Sequence, residues 1–545
     1  MLYNVERGEG MNSVIYNPLE EYESKLKDLH LKNVNEFFDK LVKQSGVNIE
    51  ANRKTIKQYN DCMENRGKLK RKLNWLRFLR VLMCITLILI PFVILKTTPR
   101  IRALRSEIAN FDETAEKLLS EAKRQMAPLN SLFTDRDALN IIESTVPSMH
   151  FDDNFSVKQE TDMKINYDFC DGSSNEESTI DVLAGNYNEN PFLFENKLIH
   201  RMGTETYHGY KTIYWTETYR DSDGKLRTRT NSETLHATVV KPKPFYHTRV
   251  ILNYCAQGAP DLKFSRDASQ LHTKSEKQIE KIVKRGEKKL DKKTEKAISQ
   301  NSDFTSMSNT EFEVLFDALD RTNEVQFRTL FTPLAQTNMV DLILSKTGYG
   351  DDFNFVKTKR TNRIVSDHSQ GRGINLLARV YPSHSFDVIK ENFIGKNAEF
   401  FKAVYFDFAP ILAIPMYQER PVHSLKPIPD LSQLYSLKEC EVLANIMDES
   451  NVVHPDTKTK AILKSAFVHS KDGVDETCIT AYSYDMEPRV DIVSVHGGDG
   501  KWHNVPVEWD EYIPLEAQNH FYVTSVDTAE NKKIIASKNG LCIFN

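Results

Sequence analysis

Basic side chains are concentrated between residues 270 and 300, in a stretch whose pattern predicts an amphipathic helix. Ten basic residues stand there against five acids: Lys274, Lys277, Lys281, Lys284, Arg285, Lys288, Lys289, Lys292, Lys293 and Lys296. Positive charge on such a helix attracts anionic lipid headgroups. We therefore expect lipid contact through a central set of six: Lys281, Lys284, Arg285, Lys288, Lys289 and Lys292.

Two other interpretations of this helix stay open. The lysines could bind the phosphates of RNA or DNA, although no aromatic residues are interleaved with them for stacking on bases. They could also form a solvated face with i,i+4 ion pairs such as Glu280–Lys284. The net charge of −4 argues against a protein built to coat nucleic acid, so we expect no nucleic-acid partner.

Motifs that could support catalysis are few. Residues 497–501 hold three glycines and a lysine, but they lack the hydroxyl residue and the helix of a phosphate-binding loop. Residues 367–373, with His368, could belong to a nucleotide or nucleophile loop, but we predict a solvent-exposed turn. His496 and His503 flank a predicted turn and could face each other across two strands, yet two histidines make a poor metal site. We therefore assign no catalytic residue, metal site or cofactor.

Composition places the chain among ordinary globular proteins. Its 545 residues are too many for one core, so about two to four domains are expected. Hydrophobic residues make up 40% and charged residues 27%, which argues against a disordered chain and against a polytopic transporter. The seven cysteines are scattered and lack zinc-ligand spacing, and free thiols of this kind suit a reducing compartment.

One apolar run, residues 81–95, contains 15 consecutive uncharged residues. A straight span needs roughly 20 residues. Trp75 and Phe78 extend the run, and the long side chain of Arg77 can reach the interface. We predict a membrane segment at residues 75–96, a lipid bilayer as partner, and a location at the cell membrane.

The charges that flank this run bear on its orientation. Seven basic residues lie before it, namely Arg66, Lys68, Lys70, Arg71, Lys72, Arg77 and Arg80. Four follow it, namely Lys96, Arg100, Arg102 and Arg105. The excess before the run places the N-terminus in the cytoplasm. A simple span would then place the large C-terminal part of the chain, called the body below, outside the cell. Pro91 could instead bend the segment into a re-entrant or monotopic element, so we favour a cytoplasmic body.

Helices are predicted on both sides of the membrane segment. Residues 19–44 and 47–74 form two, separated by Gly46. After the run, a heptad seam consists of Ile101, Leu104, Ile108, Phe111, Ala115, Leu118 and Ala122. It predicts either a coiled-coil stalk that makes a homo-oligomer or a helix that packs on the earlier helices. Thr134 and Asp137 suggest the capped start of a further helix that ends before Pro147. Met11 is an alternative start of translation.

The rest of the chain mixes strands and helices. Met163, Ile165, Tyr167 and Phe169 alternate with polar residues and predict a half-buried strand. The turn residues 221–224 predict a hairpin whose second strand is 225–240. Residues 308–311 read as a capping box that opens a helix through Leu319. In the C-terminal module, strands are predicted at 461–469, 477–484, 490–496 and 503–507.

Two stretches resemble an uncharacterised bacterial family of membrane-anchored proteins, known only as a domain of unknown function. The first is residues 203–237, with Tyr207-His-Gly-Tyr210 and Trp215. The second is residues 311–333, with Glu311-Phe312 and Arg328-Thr-Leu-Phe-Thr-Pro333. The resemblance covers roughly residues 151–392 and implies membrane anchoring but no activity. Family members usually have a paired hydrophobic region, where this chain has one short run.

These observations predict an α+β protein with a β-rich C-terminal module. Five segments are expected: a helical region at 1–74, the membrane segment at 75–96, a helical stalk at 97–147, an α+β domain at 148–434, and the module at 435–545. We expect a membrane-anchored protein that acts through interactions rather than catalysis. The alternative is a membrane-tethered hydrolase whose site is assembled from scattered residues, which would need one deep pocket of converging side chains.

Overall fold

Two compact units make up the fold of the chain, as seen in a computed structural model. Unit 1 comprises Met1–Leu19, His150–Ile374 and Phe406–Asn545, and unit 2 comprises Glu20–Met149 and Asn375–Tyr405. The structure describes residues 15–84, 90–170, 174–300, 304–421, 426–429, 431, 433, 435–447, 452–471, 474–524, 533–537 and 540–544. Among these, side chains are not described for 81–84, 90–96, 524, 533–537 and 540–544. The predicted segments 148–434 and 435–545 thus fall mostly in unit 1.

The chain is of mixed α+β class, as predicted, with helices throughout and two largely antiparallel sheets. The helices are α1 (Pro18–Glu21), α2 (Lys27–Ser45), α3 (Ile49–Cys84), α4 (Ile90–Asn130), α5 (Asp137–Thr145), α6 (Val157–Tyr167), α7 (Glu276–Ser299), α8 (Thr310–Phe316), α9 (Glu324–Leu330), α10 (Pro333–Leu344), α11 (Phe386–Leu412) and α12 (Leu437–Ile446). The strands are β1 (Met149–Phe151), β2 (Glu177–Tyr187), β3 (Asn190–Arg220), β4 (Leu226–Cys255), β5 (Lys263–Arg266), β6 (Phe353–Thr358), β7 (Thr361–Ser366), β8 (Ile462–Lys471), β9 (Val474–His496), β10 (Trp502–Thr524), β11 (Lys533–Ser537) and β12 (Gly540–Phe544).

Helices α3 and α4 of unit 2 run antiparallel. Cys62 Sγ donates a hydrogen bond to the carbonyl of Phe111 over 3.4 Å, and Asn52 Nδ2 donates to Gln125 Oε1 over 3.3 Å. Residues that lie later on α3 therefore pair with residues that lie earlier on α4. Ile85–Leu89, the centre of the predicted membrane segment, lie outside the described residues. Among the described residues, no helix combines the length and the apolar character needed to cross a membrane.

The heptad seam of α4 packs within the same chain. Its members Ile101, Ala115 and Ala122 are buried, and Phe111 carries the carbonyl that meets α3. Packing against α3 accounts for the seam because a heptad pattern is equally suited to an antiparallel pair of helices in one chain. The homo-oligomer predicted through this stalk stays a prediction.

Unit 2 has an aromatic core that includes the first part of α11. Val34 and Phe38 of α2 pack with Phe133 and with Phe393 of α11, and all four are buried. Helix α2 ends at Gly46, whose φ of 62° is a left-handed conformation that glycine adopts at low cost. Thr134 N donates to Asp137 Oδ2 over 3.0 Å at the predicted start of α5, but the residue before the helix is Arg136, whose side chain makes no capping hydrogen bond.

A seven-stranded sheet organises unit 1, with the order β1-β2-β3-β4-β7-β6-β5. Helices α7 to α10 are inserted between β5 and β6, which pair with each other from Lys263↔Thr358 onward. A second sheet has the order β11-β12-β10-β9-β8, in which β10 and β12 are parallel. Helix α12 packs on β2 and β8, and its Glu441 Oε2 accepts a hydrogen bond from Thr179 N over 2.8 Å.

Two long two-stranded ribbons extend from these sheets and pack on each other within unit 1. Strands β3 and β4 are paired without interruption from Phe192↔Tyr254 to Arg220↔Leu226, and β9 pairs with β10 from Trp502↔His496 to Thr524↔Val474. Buried apolar residues hold them together, namely Ile213, Leu235, Ala237, Val505 and Val507.

Three local predictions were wrong. Residues 163–169 are not a strand: Met163 and Tyr167 lie in α6, which begins at a capping box of Ser156 and Gln159. The cap of α8 is Asn309 rather than Ser308, because Asn309 accepts a hydrogen bond from Phe312 N over 3.1 Å. The predicted strands 477–484 and 490–496 are one strand, β9, since Pro488 pairs with Asp510 without a break.

Candidate functional site

Helix α7 forms as the sequence predicts, with a buried and a basic side. A capping box of Ser275 and Gln278 opens it, which is why it begins six residues later than the predicted segment 270–300. Ile279, Leu290 and Ala297 are buried. At about 100° per residue these three lie on one side of the helix, and this apolar side packs against the rest of the fold.

Eight exposed lysines and arginines lie on the opposite side and are called the basic face below. They are Lys277, Lys281, Lys284, Arg285, Lys288, Lys289, Lys292 and Lys296, which include all six predicted lipid-contact residues. In the described part of the chain, none of the eight makes a side-chain hydrogen bond or an ion pair, and the suggested Glu280–Lys284 pair is not among the ion pairs that form. Of the five acids of α7, Glu295 falls within the basic face. The face therefore presents largely uncompensated positive charge to solvent.

A groove of about 250 Å³ runs along one edge of the basic face, between α7 and α8. Its apolar lining consists of Ile282, Gly286, Leu290, Val314 and Leu319. Its charged lining consists of Arg285, Lys289, Glu313 and Asp317. The groove thus joins an apolar interior to two members of the basic face.

The two acids of this groove differ in their surroundings. Glu313 is buried and pairs with Arg321 Nη2 at 2.6 Å, so its charge is compensated inside the fold. Desolvation raises the pKa of Asp317, against the opposing effect of Lys289. Asp317 is therefore the acid whose charge weakens the positive potential at the groove's rim, where it interacts with Lys289.

A second candidate contact region lies where the hairpin of α3 and α4 meets the apolar run. Trp75 is 62% exposed and Phe78 is 65% exposed, although both are large and apolar. Several of the predicted flanking charges are exposed on the same two helices, namely Lys70, Arg71, Lys72, Arg77, Arg100, Arg102 and Arg105. Aromatic and basic side chains in this combination are typical of a membrane–water interface.

Residues 367–373 form a turn, as the sequence predicted, but it is only partly exposed, since Asp367 and Gly371 face solvent whereas Ser369 is buried. His368 Nδ1 lies 2.6 Å from Asp352 Oδ2, and its Nε2 lies 3.4 Å from Asp407 Oδ1. Ser369 is fully buried, and its Oγ lies 2.7 Å from each carboxylate oxygen of Asp407. Arg372 Nη2 donates to Asp407 over 2.9 Å. The burial of these side chains was not predicted because their partners, Asp352 and Asp407, lie far away in the sequence.

This buried cluster contains the residue types of a hydrolase but not its geometry. A serine nucleophile needs a histidine that accepts its proton and a substrate that can reach it. Ser369 instead donates to Asp407, and both side chains are closed to solvent. The cluster is a buried polar network that holds the segment after β7 against α11.

The other motifs of the sequence have structural roles. His496 pairs with Trp502 in the register, whereas His503 Nε2 lies 2.9 Å from Asp499 Oδ1, so the two histidines do not face each other. The glycine-rich residues 497–501 form the turn of the second ribbon, closed by Gly497 N donating to the carbonyl of Lys501 over 2.8 Å.

The segment 311–333, which carries part of the family resemblance, serves packing and capping. Arg328 Nη2 donates to the carbonyl of Ser306 over 3.0 Å, and Thr332 caps α10 ahead of Pro333. The phenylalanines of this segment pack together with rings of the sheet, namely Phe312, Phe316, Phe327, Phe331, Phe264 and Phe355.

No three metal-binding side chains come together in the described part of the chain. Comparisons with family models, with curated proteins and with solved structures return no match for this chain. The candidate sites are therefore argued from their own geometry.

Proposed function

We propose that this chain is a membrane-anchored interaction protein, with the hairpin of α3 and α4 as its anchor and the basic face of α7 as a second lipid contact. The observation that carries the proposal is the antiparallel pairing of α3 and α4. This pairing brings the two ends of the apolar run to the same end of one hairpin.

Length favours insertion into one leaflet over a crossing. From Trp75 to Cys84, α3 extends about 15 Å at about 1.5 Å per residue, which is half of a hydrocarbon core of about 30 Å. A hairpin of this reach enters one leaflet and returns, so that both flanks stay on the same side. Exposed Trp75 and Phe78 then lie at the interface, and the basic flanks contact headgroups.

The basic face supplies a second, electrostatic contact. Each basic residue near an anionic leaflet contributes about 1 kcal/mol, and the attraction fades beyond a Debye length. Eight exposed and unpaired residues on one side of a helix suit this role. The absence of stacking aromatics among them favours lipid over nucleic acid.

The anchor is tested by fractionation of the full chain. We expect it to sediment with membranes and to resist high salt and carbonate. Replacing residues 85–89 with Gly-Ser-Gly-Ser-Gly keeps the chain length and removes the apolar centre, and this variant should be released. Release of the unaltered chain by salt alone would refute the anchor.

The basic face is tested in the 85–89 variant, which lacks the centre of the apolar run. It should bind vesicles that contain anionic lipid, fail to bind neutral vesicles, and dissociate as salt rises. Reversing Lys281, Lys284, Lys288 and Lys292 to Glu should weaken binding at least about tenfold, because the basic flanks of the apolar run remain, and should not change thermal stability, because all four are exposed. Equal binding to neutral vesicles, or tighter binding to duplex DNA than to anionic vesicles, would refute this part.

The alternative function, a membrane-tethered hydrolase, has one observation in its favour, the convergence of Ser369, His368 and Asp407. Their burial weighs against it. An ester or phosphoester turned over by the full chain, and no longer by a Ser369→Ala variant that still folds, would establish the hydrolase instead.

A further inference from the structure

The groove between α7 and α8 has the makeup of a binding site for an amphiphile. Its interior is formed by aliphatic side chains, and Gly286 lets the two helices approach closely. A Cβ at Gly286 would lie 2.3 Å from Val314 Cγ1. Two cationic side chains, Arg285 and Lys289, stand at the rim without a hydrogen bond or an ion pair among the described residues.

We propose that this groove binds a free fatty acid, with the alkyl chain in the aliphatic interior and the carboxylate between Arg285 and Lys289. A planar guanidinium matches a carboxylate with two parallel hydrogen bonds, and the nearby ammonium adds a point charge. The proposal goes beyond the membrane anchor and does not depend on it.

Size and charge together select this ligand. A volume of about 250 Å³ lies below the range of about 300–1,000 Å³ typical of sites for drug-sized molecules. It therefore suits one narrow chain rather than a folded cofactor. Of the two acids of the groove, Glu313 is paired with Arg321, so Asp317 alone opposes the two cations and the rim keeps a net positive charge.

Chain length gives the first readout. Burial of one methylene is worth about 0.8 kcal/mol, so each methylene that enters the groove should tighten binding about fourfold. We expect affinity to increase in this way along a series of saturated fatty acids, and to reach a plateau once the groove is full. Calorimetry below the micelle concentration of each acid measures it. Decanol and decyltrimethylammonium, with the same chain as decanoate, should bind at least about tenfold more weakly.

Charge-matched variants of the full chain give the second readout. Arg285→Gln with Lys289→Gln should weaken decanoate binding about tenfold or more. Lys281→Gln with Lys284→Gln removes the same amount of charge from the same helix, but away from the groove. This pair should change the affinity for decanoate by less than about twofold. Asp317→Asn should tighten binding, because it removes the opposing carboxylate.

Variants that block the groove distinguish binding inside it from binding on the exposed surface of α7. Ile282→Trp or Leu319→Trp should abolish decanoate binding, with thermal unfolding as the check that each variant folds. Binding to anionic vesicles should persist in these two variants, so a failure here is distinct from a failure of the membrane proposal. Equal affinity for decanoate and decanol, equal loss in the two charge-matched pairs, or no decanoate binding would overturn the assignment.

Discussion

Lys357 is buried in unit 1 without an acidic partner among its hydrogen bonds. Its Nζ donates to the carbonyl of Gly258 over 3.0 Å and to that of Lys359 over 2.5 Å, and it lies 5.2 Å from the ring centre of Tyr417. Desolvation, the main cause, lowers the pKa of Lys357 to about 7. The ammonium is thus held by neutral groups in a place that disfavours charge.

This burial predicts a specific dependence of stability on pH. Between pH 7 and about 10.5 the unfolded chain keeps the proton of Lys357 while the folded chain releases it, so the free energy of unfolding rises with pH in this window. Below pH 7 both states are protonated and the cost of burying the charge is fully present. Compared with that of Lys357→Met, the free energy of unfolding of the unaltered chain should rise by on the order of 4 kcal/mol from pH 7 to 10.5, measured by urea unfolding. A difference that stays constant with pH would contradict this.

Ser369 predicts a different residue-level effect. Ser369→Ala removes a hydrogen bond to the buried carboxylate of Asp407, which should destabilise the fold by about 1–3 kcal/mol. Ser24→Ala is the matched control, because Ser24 Oγ donates to the carbonyl of Glu20 at an exposed site, and it should change stability by less than about 0.5 kcal/mol. Chemical denaturation measures both, and equal effects would show that the buried network contributes little.

The sequence allowed residue-level predictions where the signal was local. The basic face of α7 followed from charge and helical spacing, both of which belong to one short segment. The burial of His368 and Ser369 was not predicted, because their partners, Asp352 and Asp407, are brought to them only by the tertiary fold. No pattern within residues 367–373 carries that information.

At the scale of elements, two glycines within helices differ in the space around them. A Cβ at Gly286 of α7 would lie 2.3 Å from Val314 Cγ1, whereas a Cβ at Gly67 of α3 would meet nothing within 4 Å. Alanine gains about 1 kcal/mol over glycine in a helix, and overpacking costs about 1–3 kcal/mol.

Alanine substitutions should therefore differ in sign or size at these two positions. Gly67→Ala should stabilise the chain by up to about 1 kcal/mol, while Gly286→Ala should be neutral or destabilising by up to about 2 kcal/mol. Thermal unfolding of both variants measures the difference. A stabilising Gly286→Ala would show that Val314 moves aside, and that α7 and α8 are not closely packed.

Helices, strands and turns were predicted well where the residues within them determine the local structure. The first ribbon has its turn at Asp221–Gly224, where Gly224 has a φ of 76°, as the turn chemistry of the sequence suggests. Helix α6 was predicted as a strand because Met163, Ile165 and Tyr167 alternate with polar residues, yet Met163 and Tyr167 also lie one helical turn apart. The capping box at Ser156 and Gln159 was the signal that decides between the two.

At the scale of the whole chain, the hairpin predicts that both flanks of the apolar run lie on one side of the membrane. Lys57 on α3 and Glu116 on α4 are exposed and suit replacement by cysteine, and Cys170 is an exposed natural probe in unit 1. In intact cells we expect an impermeant maleimide to label none of the three until the membrane is permeabilised. Labelling of one flank without the other would exclude the hairpin, and labelling of Cys170 from outside would exclude a cytoplasmic body.

The α+β class was predictable, but the pairing of strands was not. Periodicity and capping signals located α2 to α5, α7, α8 and the two ribbons, whereas α9, α10 and α11 were not predicted. The sheet order β4-β7-β6-β5 depends on contacts between distant segments, for example Asn253 with Arg363. Such pairings leave no signature in either segment alone, because many strands share the same apolar pattern.

The junction of β4 with β7 has a consequence for the synthesis of this protein on the ribosome. Asn253 and Arg363, which pair across it, are 110 residues apart in sequence. At about 5–20 residues per second, the edge of β4 waits roughly 5–20 s for its neighbour to emerge. During that time the strand end at Leu252, Tyr254 and Cys255, all buried in the finished fold, has no partner on that side. Nascent chains halted shortly before β7 should therefore be the ones most dependent on a chaperone that shields apolar strands.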